Sequence, residues 1–300
     1  MSDYNTYKKN EYQADLHYCS KFIFSFGSNY ALATMLFSKK IREATIFFYS
    51  FVRYADELVD NPEIKMEGQT HNNLDEFVAE WEDVLKSGLR KDSHSILRSN
   101  YWLFKKYEIP FDYTVDFLSA MKQDIEKSRY QTYVELEKYM WGSASIIGHV
   151  MTHIVGYSDV IAFEHAKALS EGMQMANFLR DINEDYQERN RIYLPQDEML
   201  NFGVTEEMIA RQKMTPELYN LVHYYVEKAE GLFTKGINGI RYLESGRFSI
   251  LLASRMYREN IRILKRRHYD LFGAKIRLSK SKKIQILLNT FVFYLLRGLK

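Results

Sequence analysis

Apolar side chains recur every three or four residues along most of the chain, a spacing that predicts α-helices rather than β-strands. One such run contains Ala44, Phe47, Phe48, Phe51, Ala55 and Leu58. Helix starts are marked by two capping boxes and by a capping threonine before a proline: Asn73 with Glu76, Thr132 with Glu135, and Thr215 with Pro216. The pattern therefore predicts a largely helical protein.

Breaks in this pattern divide the chain into predicted helices of about 15–30 residues, a length typical of helical bundles. The breaks fall near Asn61, Gly88, Pro110, Gly156, Pro195 and Gly246. The sequence shows no strand alternation, glycine-rich phosphate loop, fixed-period repeat or linker. We therefore predict a single all-α domain over residues 1–300, with residues 1–20 as a loose N-terminus, although length alone suggests about two domains.

Composition narrows the class of protein further. Of the 300 residues, 46% are hydrophobic and 15% are aromatic, with 23 Tyr and 19 Phe, which predicts a large core and an aromatic-lined interior. A net charge of +2 gives no general attraction to nucleic acid. The single cysteine, Cys19, excludes an intramolecular disulfide and fits a reducing compartment. With a polar N-terminus unlike a secretory signal, these features predict a cytoplasmic protein.

The C-terminal region leaves two interpretations open. Ten Lys or Arg residues lie within residues 258–283, and an amphipathic, aromatic segment follows. Residues 284–300 are too interrupted by polar side chains to span a bilayer. They could form a peripheral helix on an anionic inner membrane face. Alternatively, they form a last packed helix behind a solvated charged surface.

The first group of candidate functional residues lies in the segment 49–60. Tyr49, Arg53, Asp56 and Asp60 are spaced by four, three and four residues, so they share one face of a predicted helix. This places two carboxylates near each other among apolar neighbours, where simple solvation does not explain them. A pair of this kind, Asp112 with Asp116, also follows Pro110, and there we predict only a helix start.

A second acidic stripe lies in the segment 173–185. Asn177, Asp181 and Asp185 follow one another at four-residue spacing, with Arg180 beside them and Gln174 one turn before. Oxygen ligands of this kind suit Mg²⁺, which takes few carboxylates together with waters and substrate phosphates. Two facing stripes could hold several Mg²⁺ ions, or Mn²⁺ instead, around one diphosphate, and the arginines would orient it. The alternative is a pair of buried salt-bridge networks.

At these residues the chain resembles the squalene/phytoene synthase family, and most of all the prokaryotic phytoene synthases. The matching stretches are FYSFVRYADELVD at 48–60, YMWGSASIIG at 139–148, GMQMANFLRDINED at 172–185 and RIYLP at 191–195. The run FGSNY at 26–30 stands where many relatives carry a His-Ser-Lys-Ser-Phe-like run. The late arginine of the family falls at Ala274, with Lys275 or Arg277 as substitutes.

The resemblance implies a class I isoprenoid synthase bundle with a central cavity between two acidic helices. It implies catalytic or metal-binding roles for Asp56, Asp60, Tyr139, Asn177, Asp181 and Asp185. It implies substrate contacts at Ser28, Tyr49, Arg53, Gln174, Arg180, Arg191, Tyr257 and Lys275. For Tyr139 and Tyr257, ordinary core packing is the alternative.

The implied reaction is a Mg²⁺-dependent, head-to-head condensation of two prenyl diphosphates through a cyclopropyl diphosphate. Thr34 and Ile46 fall where some C30-forming relatives carry larger aromatic residues, which favours geranylgeranyl diphosphate as substrate and phytoene as product. The alternatives are squalene, dehydrosqualene or hydroxysqualene made from farnesyl diphosphate, or a non-catalytic binding role. No nicotinamide-binding fingerprint is present, so we expect no use of NADPH. The oligomeric state is left open.

Overall fold

Every regular element in the computed structural model is helical over the residues that the structure describes, which are 7–25, 29–61 and 68–296. The helices are α1 (Lys9–Ser25), α2 (Asn29–Met35), α3 (Lys39–Asp60), α4 (Leu74–Ser87), α5 (Ser95–Lys106), α6 (Asp112–Glu126), α7 (Tyr133–Met140), α8 (Ile146–Val155), α9 (Ile161–Arg189), α10 (Gln196–Asn201), α11 (Glu206–Ala210), α12 (Pro216–Asn238), α13 (Arg247–Arg266) and α14 (Lys280–Leu296). The all-α prediction is confirmed.

Local sequence signals account for most helix ends. The side chains of Asn73, Thr132 and Thr215 each accept a hydrogen bond from the backbone N–H three residues later, as predicted for capping residues. Gly88 and Gly156 follow α4 and α8 with positive φ, a conformation that glycine adopts without strain. The predicted breaks therefore fall at real helix boundaries.

The longest helix, α9, organises the centre of the fold. One side of it packs against α12 and α13, where Leu179, Ala229 and Phe233 belong to a buried, mainly aliphatic cluster. Its other side faces α8 and the turn Trp141–Ser145. A second, more aromatic cluster joins α1, α3, α5 and α6 and includes Phe51. The first cluster thus supports α9, and the second supports α3.

The N-terminal region differs from the sequence prediction. The expectation of a loose N-terminus over residues 1–20 does not hold from Lys9 onward, because these residues belong to α1, which packs on α3 and α5. Asp15 is fully buried there and pairs with Arg98 at 2.5 Å. Composition gave no sign of this pair because the partner lies on a different helix, 83 residues away. Residues 1–6 are outside the described range.

The last helix, α14, packs on α13 through Ile286 and Thr290. It also exposes apolar side chains, namely Ile284, Leu288, Phe291, Val292, Leu295 and Leu296. Among the described residues, no helix combines the length and the apolar character that crossing a membrane requires. The structure is thus compatible with both interpretations of the C-terminal segment.

Candidate active site

A cavity of about 620 Å³ lies between α3, α6, α9 and α13. We call it the polar cavity. Both acidic stripes line it, so the helices that carry them face each other across one space. Its wall also includes Ile23, Thr34, Thr45 and Ile46. Ile46 precedes Asp60 by 14 residues on α3, which corresponds to about 21 Å of helix. The cavity therefore has a charged end and a largely apolar end.

The α3 stripe is formed as predicted. Asp56 pairs with Arg53 at 2.7 Å, and Arg53 also contacts Glu57 one turn later. Asp56 lines the polar cavity, and 38% of its side-chain surface is exposed. The i, i+3 and i, i+4 spacing of an α-helix brings these charges together on one face. The stripe thus presents carboxylates that an adjacent arginine partly neutralises.

The α9 stripe is also formed, and it meets the first one. Arg180 holds Asp181 with two hydrogen bonds, one of them at 2.8 Å. Arg189 lies 3.6 Å from Asp185 on its own helix and 3.4 Å from Asp60 on α3. Sequence reasoning missed Arg189, because nothing in its spacing shows that a residue on α3 completes its contacts. Its ion pairs therefore join the two stripes.

Burial and mutual repulsion change the acidity of these carboxyls. Desolvation, followed by the charge of Asp60, raises the pKa of Asp56 from 3.8 to about 7. Desolvation, followed by the charge of Asp181, raises the pKa of Asp185 to about 7 as well. Closely spaced carboxylates with raised pKa values are typical of a site that receives a cation. The site therefore holds protons near neutral pH that a bound cation would displace.

These raised pKa values predict how stability depends on pH. Between pH 4 and pH 7 the folded protein keeps a proton on Asp185 that the unfolded chain releases, so the free energy of unfolding should fall as pH rises. In the metal-free protein, we expect Asp185→Asn to raise the melting temperature at pH 8 and to have little effect at pH 4. Thermal unfolding in a chelator measures this. An equal effect at both pH values, or a loss of stability at pH 8, would contradict the prediction.

The donor set fits the predicted divalent cation. Asn177 lies on α9 with its Oδ1 buried, and no described residue donates a hydrogen bond to that oxygen. An unpaired amide oxygen beside two carboxylates is a ready ligand for a hard cation. Within the described residues, no group of three or more His, Cys, Asp or Glu side chains could hold a metal ion by itself. In Mg²⁺ sites, water and phosphate oxygens usually complete the coordination.

An aromatic wall lies beside the acidic stripes. Tyr139 is 2% exposed, and its hydroxyl donates to Asp124 Oδ2 at 2.7 Å. The rings of Tyr139, Phe178 and Tyr193 pack together, with centroids 4.2 Å apart for Phe178 and Tyr193. Sequence reasoning missed Asp124, which lies on α6, a helix that carries none of the recognised motifs.

Arg191 reaches this wall because of the way α9 ends. Asn190 adopts the left-handed conformation with φ 49°, which asparagine tolerates better than most residues. The chain then turns, and the Arg191 N–H donates to the Asp185 carbonyl at 2.9 Å. Arg191 is 8% exposed and lines the polar cavity.

A smaller cavity of about 100 Å³ continues behind the first, between α8, α9 and α13. We call it the apolar cavity, since side chains such as Met151, Leu169 and Leu243 form most of its wall. Both cavities are lined by Tyr49, Ser143, Ile147, Gln174 and Asn177.

The turn Trp141–Ser145 is a π-helical turn that brings Ser143 to this junction. Its Gly142 is needed because a Cβ there would lie 2.6 Å from both Ala120 Cβ and the Asp116 carbonyl of α6. The Ser143 hydroxyl is buried, and no described residue bonds to it. The junction thus combines apolar walls with a few polar atoms.

The remaining predicted residues fall at the same site with one exception. Tyr257, on α13, and Lys275 both line the polar cavity, and Lys275 also pairs with Glu184 of α9. Ser28 lies outside the described residues. The structure therefore brings the other predicted site residues to one cavity, and their chemical roles stay predictions.

Two acid-bearing helices that face each other across a cavity in a helical bundle define the fold of the class I isoprenoid synthases. A ligand-bound dehydrosqualene synthase superposes with a TM-score of 0.83 at 26% identity, covering 95% of this chain and 98% of that one. Residues 25–282 match the squalene/phytoene synthase family, and the chain belongs to this family.

Relatives of known name support the same family. The phytoene synthase of Thermus thermophilus is 29% identical over 266 residues, which cover 89% of each chain. Phytoene synthase 2 of Zea mays is 29% identical over 273 residues, covering 89% of this chain and 66% of that protein. The chain thus spans about two thirds of the length of this plant relative. A squalene synthase from Alicyclobacillus acidocaldarius shares the fold, with a TM-score of 0.77 at 21% identity over 88% of this chain and 97% of the other.

Proposed function

We propose that the protein condenses two molecules of geranylgeranyl diphosphate head to head, giving phytoene through a cyclopropyl diphosphate. The observation that carries this proposal is the polar cavity, whose charged end holds both acidic stripes and whose far end is apolar. Such a cavity fits a substrate with a diphosphate head and a long hydrocarbon tail. The Thermus relative, named a phytoene synthase, supports the choice of product.

In this proposal the charged end binds and releases diphosphate. Mg²⁺ held by the two stripes and Asn177 would neutralise the departing diphosphate. Arg53, Arg180 and Arg191 would orient its oxygens through charge-assisted hydrogen bonds. The negative faces of the Tyr139 and Phe178 rings would stabilise an allylic cation nearby. Apolar walls would exclude the water that would otherwise capture this cation.

The proposed tail length follows from the far end of the polar cavity. Thr34 and Ile46 are both buried and line that end, so neither contributes an aromatic ring there. A larger side chain at either position would shorten the space available to a prenyl tail. This favours a C20 substrate over a C15 one.

The test is to incubate purified protein with Mg²⁺ and either geranylgeranyl or farnesyl diphosphate, without NADPH, and to identify the extracted products by mass spectrometry. A C40 triene from geranylgeranyl diphosphate is the expected result. A C30 product from farnesyl diphosphate alone would keep the reaction type and overturn the proposed substrate. The absence of any product, with NADPH also tried, would favour a non-catalytic role.

We also propose that α14 contacts an anionic membrane surface. Its exposed apolar side chains include Leu288 and Val292, and Arg277 and Lys280 lie exposed beside its start. We expect Leu288→Gln combined with Val292→Gln to weaken co-sedimentation with phosphatidylglycerol vesicles at least fivefold. Deletion of α14 would uncover α13, whereas these two exposed substitutions leave α13 covered. Unchanged binding of a folded double variant would contradict this role.

A further inference from the structure

Asp124 is a buried carboxylate that lines the polar cavity and has partners on both oxygens. Its Oδ2 accepts the Tyr139 hydroxyl at 2.7 Å, and its Oδ1 accepts the Tyr193 hydroxyl at 3.0 Å. Arg191 Nη1 lies 3.6 Å from the same Oδ1. Asp124 differs from the stripe carboxylates, which pair with arginines, because it accepts hydrogen bonds from two tyrosine hydroxyls of the aromatic wall. Its position suggests that it acts on its partners.

The first partner is Tyr139, because Asp124 determines the direction of its hydroxyl hydrogen. A phenol has one hydrogen to donate and two lone pairs. Since the hydrogen of Tyr139 is directed to Asp124, the hydroxyl oxygen can offer only lone pairs to the cavity. An amide at position 124 could donate to the phenol instead, which would free the phenol hydrogen to turn towards the cavity. The carboxylate thus fixes which end of the hydroxyl dipole a substrate meets.

The second partner is Arg191, which Asp124 holds at two points. Arg191 Nη2 donates to the backbone carbonyl of Asp124, and Nη1 donates to the Tyr193 hydroxyl at 2.9 Å. The Tyr193 hydroxyl in turn donates to the Asp124 carboxylate. These bonds fix a flexible guanidinium in one orientation beside the acidic stripes. Without them, ordering that side chain would cost conformational entropy when the diphosphate binds.

We propose that Asp124 is a positioning residue that acts through Tyr139 and Arg191. It holds the phenol oxygen lone pairs towards the reacting hydrocarbon and the guanidinium towards the diphosphate. This rests on the proposed function, because it gives roles in that reaction to both partners. It also explains why a carboxylate is buried in an aromatic wall, where an unpaired charge would be costly.

The test compares Asp124→Asn with Asp116→Asn, a control on the exposed side of the same helix, where Asp116 accepts a hydrogen bond from the Trp141 indole at 2.9 Å. We expect Asp124→Asn to lower kcat about 100-fold, as for other lost preorganised groups, and Asp116→Asn to change it less than threefold. If Asp124 acts through the phenol, adding Tyr139→Phe should reduce kcat little further. If the fold-losses in kcat of the two single variants multiplied in the double variant, the proposal would be overturned. A near-normal kcat in a folded Asp124→Asn variant would also overturn it.

A second readout does not depend on turnover. In protein labelled with ¹³Cζ-tyrosine, the signals of Tyr139 and Tyr193, assigned from their Phe variants, should shift in Asp124→Asn but not in Asp116→Asn. Unmoved signals would overturn the proposal. An inactive wild-type protein would instead reject the proposed function, and the tyrosine signals would still show whether Asp124 holds the phenols.

A further variant covers the case in which Asp124→Asn does not fold. Tyr193→Phe removes one donor to Asp124 and one acceptor for Arg191 while keeping the buried charge. We expect kcat to fall about tenfold in this variant. Unchanged kcat would overturn the proposal.

Discussion

Replacing Asp181 or Asp56 by asparagine is expected to lower turnover on the order of 10³-fold. Both carboxylates lie at the charged end of the polar cavity, one on each stripe. An amide keeps the shape but removes the negative charge that would hold Mg²⁺ against a diphosphate. The Mg²⁺ concentration needed for half-maximal rate should rise in the same variants. Steady-state kinetics over a Mg²⁺ series measures both quantities.

The matched control is Asp112→Asn. Asp112 and Asp116 repeat the four-residue spacing on α6, and Asp112 is exposed in the first turn of that helix, as predicted for a helix start. Turnover and Mg²⁺ dependence should stay within threefold of wild type. If Asp56→Asn and Asp181→Asn both kept full turnover, the assignment of the stripes to Mg²⁺ would be wrong, and the salt-bridge interpretation would stand.

The second large effect concerns the product. Thr34→Phe or Ile46→Trp should shift synthesis from C40 to C30, lowering the C40 to C30 ratio at least tenfold when both substrates are offered. Each substitution places a ring into open space at the apolar end of the polar cavity, so the fold should tolerate it better than a change in a packed core. Mass spectrometry of the extract gives the ratio directly.

Met35→Phe serves as the control for this experiment. Met35 is adjacent to Thr34 on α2, but it is 52% exposed and does not line the cavity. The product ratio should be unchanged in this variant. If the C40 to C30 ratio also stayed at the wild-type value in Thr34→Phe and Ile46→Trp, this end of the cavity would not determine the length of the prenyl tail.

Much of this architecture could be predicted from the sequence because the signals are local. Apolar spacing and capping residues such as Asn73 and Thr132 act within one or two helical turns. The same holds for the stripes, since Asp56 and Asp60, or Asp181 and Asp185, share a helix face by spacing alone. The family resemblance then predicted that the two faces meet, which periodicity could not show.

What the sequence could not show depends on contacts between distant segments. Arg189 joins α9 to Asp60 on α3, and Asp124 contacts Tyr139 and Tyr193 from a helix without a motif. Asp15 is buried only because Arg98 approaches it from another helix. In each case the partner lies at least 15 residues away, so no short spacing pattern reports it.

The ion pairs of the acidic stripes affect how the binding of a divalent ion and the binding of diphosphate are coupled. Three arginines already pair with the four carboxylates: Arg53 with Asp56, Arg180 with Asp181, and Arg189 with both Asp60 and Asp185. A divalent ion arriving alone must compete with these guanidinium groups. A diphosphate offers them new anionic partners and thereby releases the carboxylates. We therefore expect positive heterotropic cooperativity, in which each ligand raises the affinity for the other by the same factor.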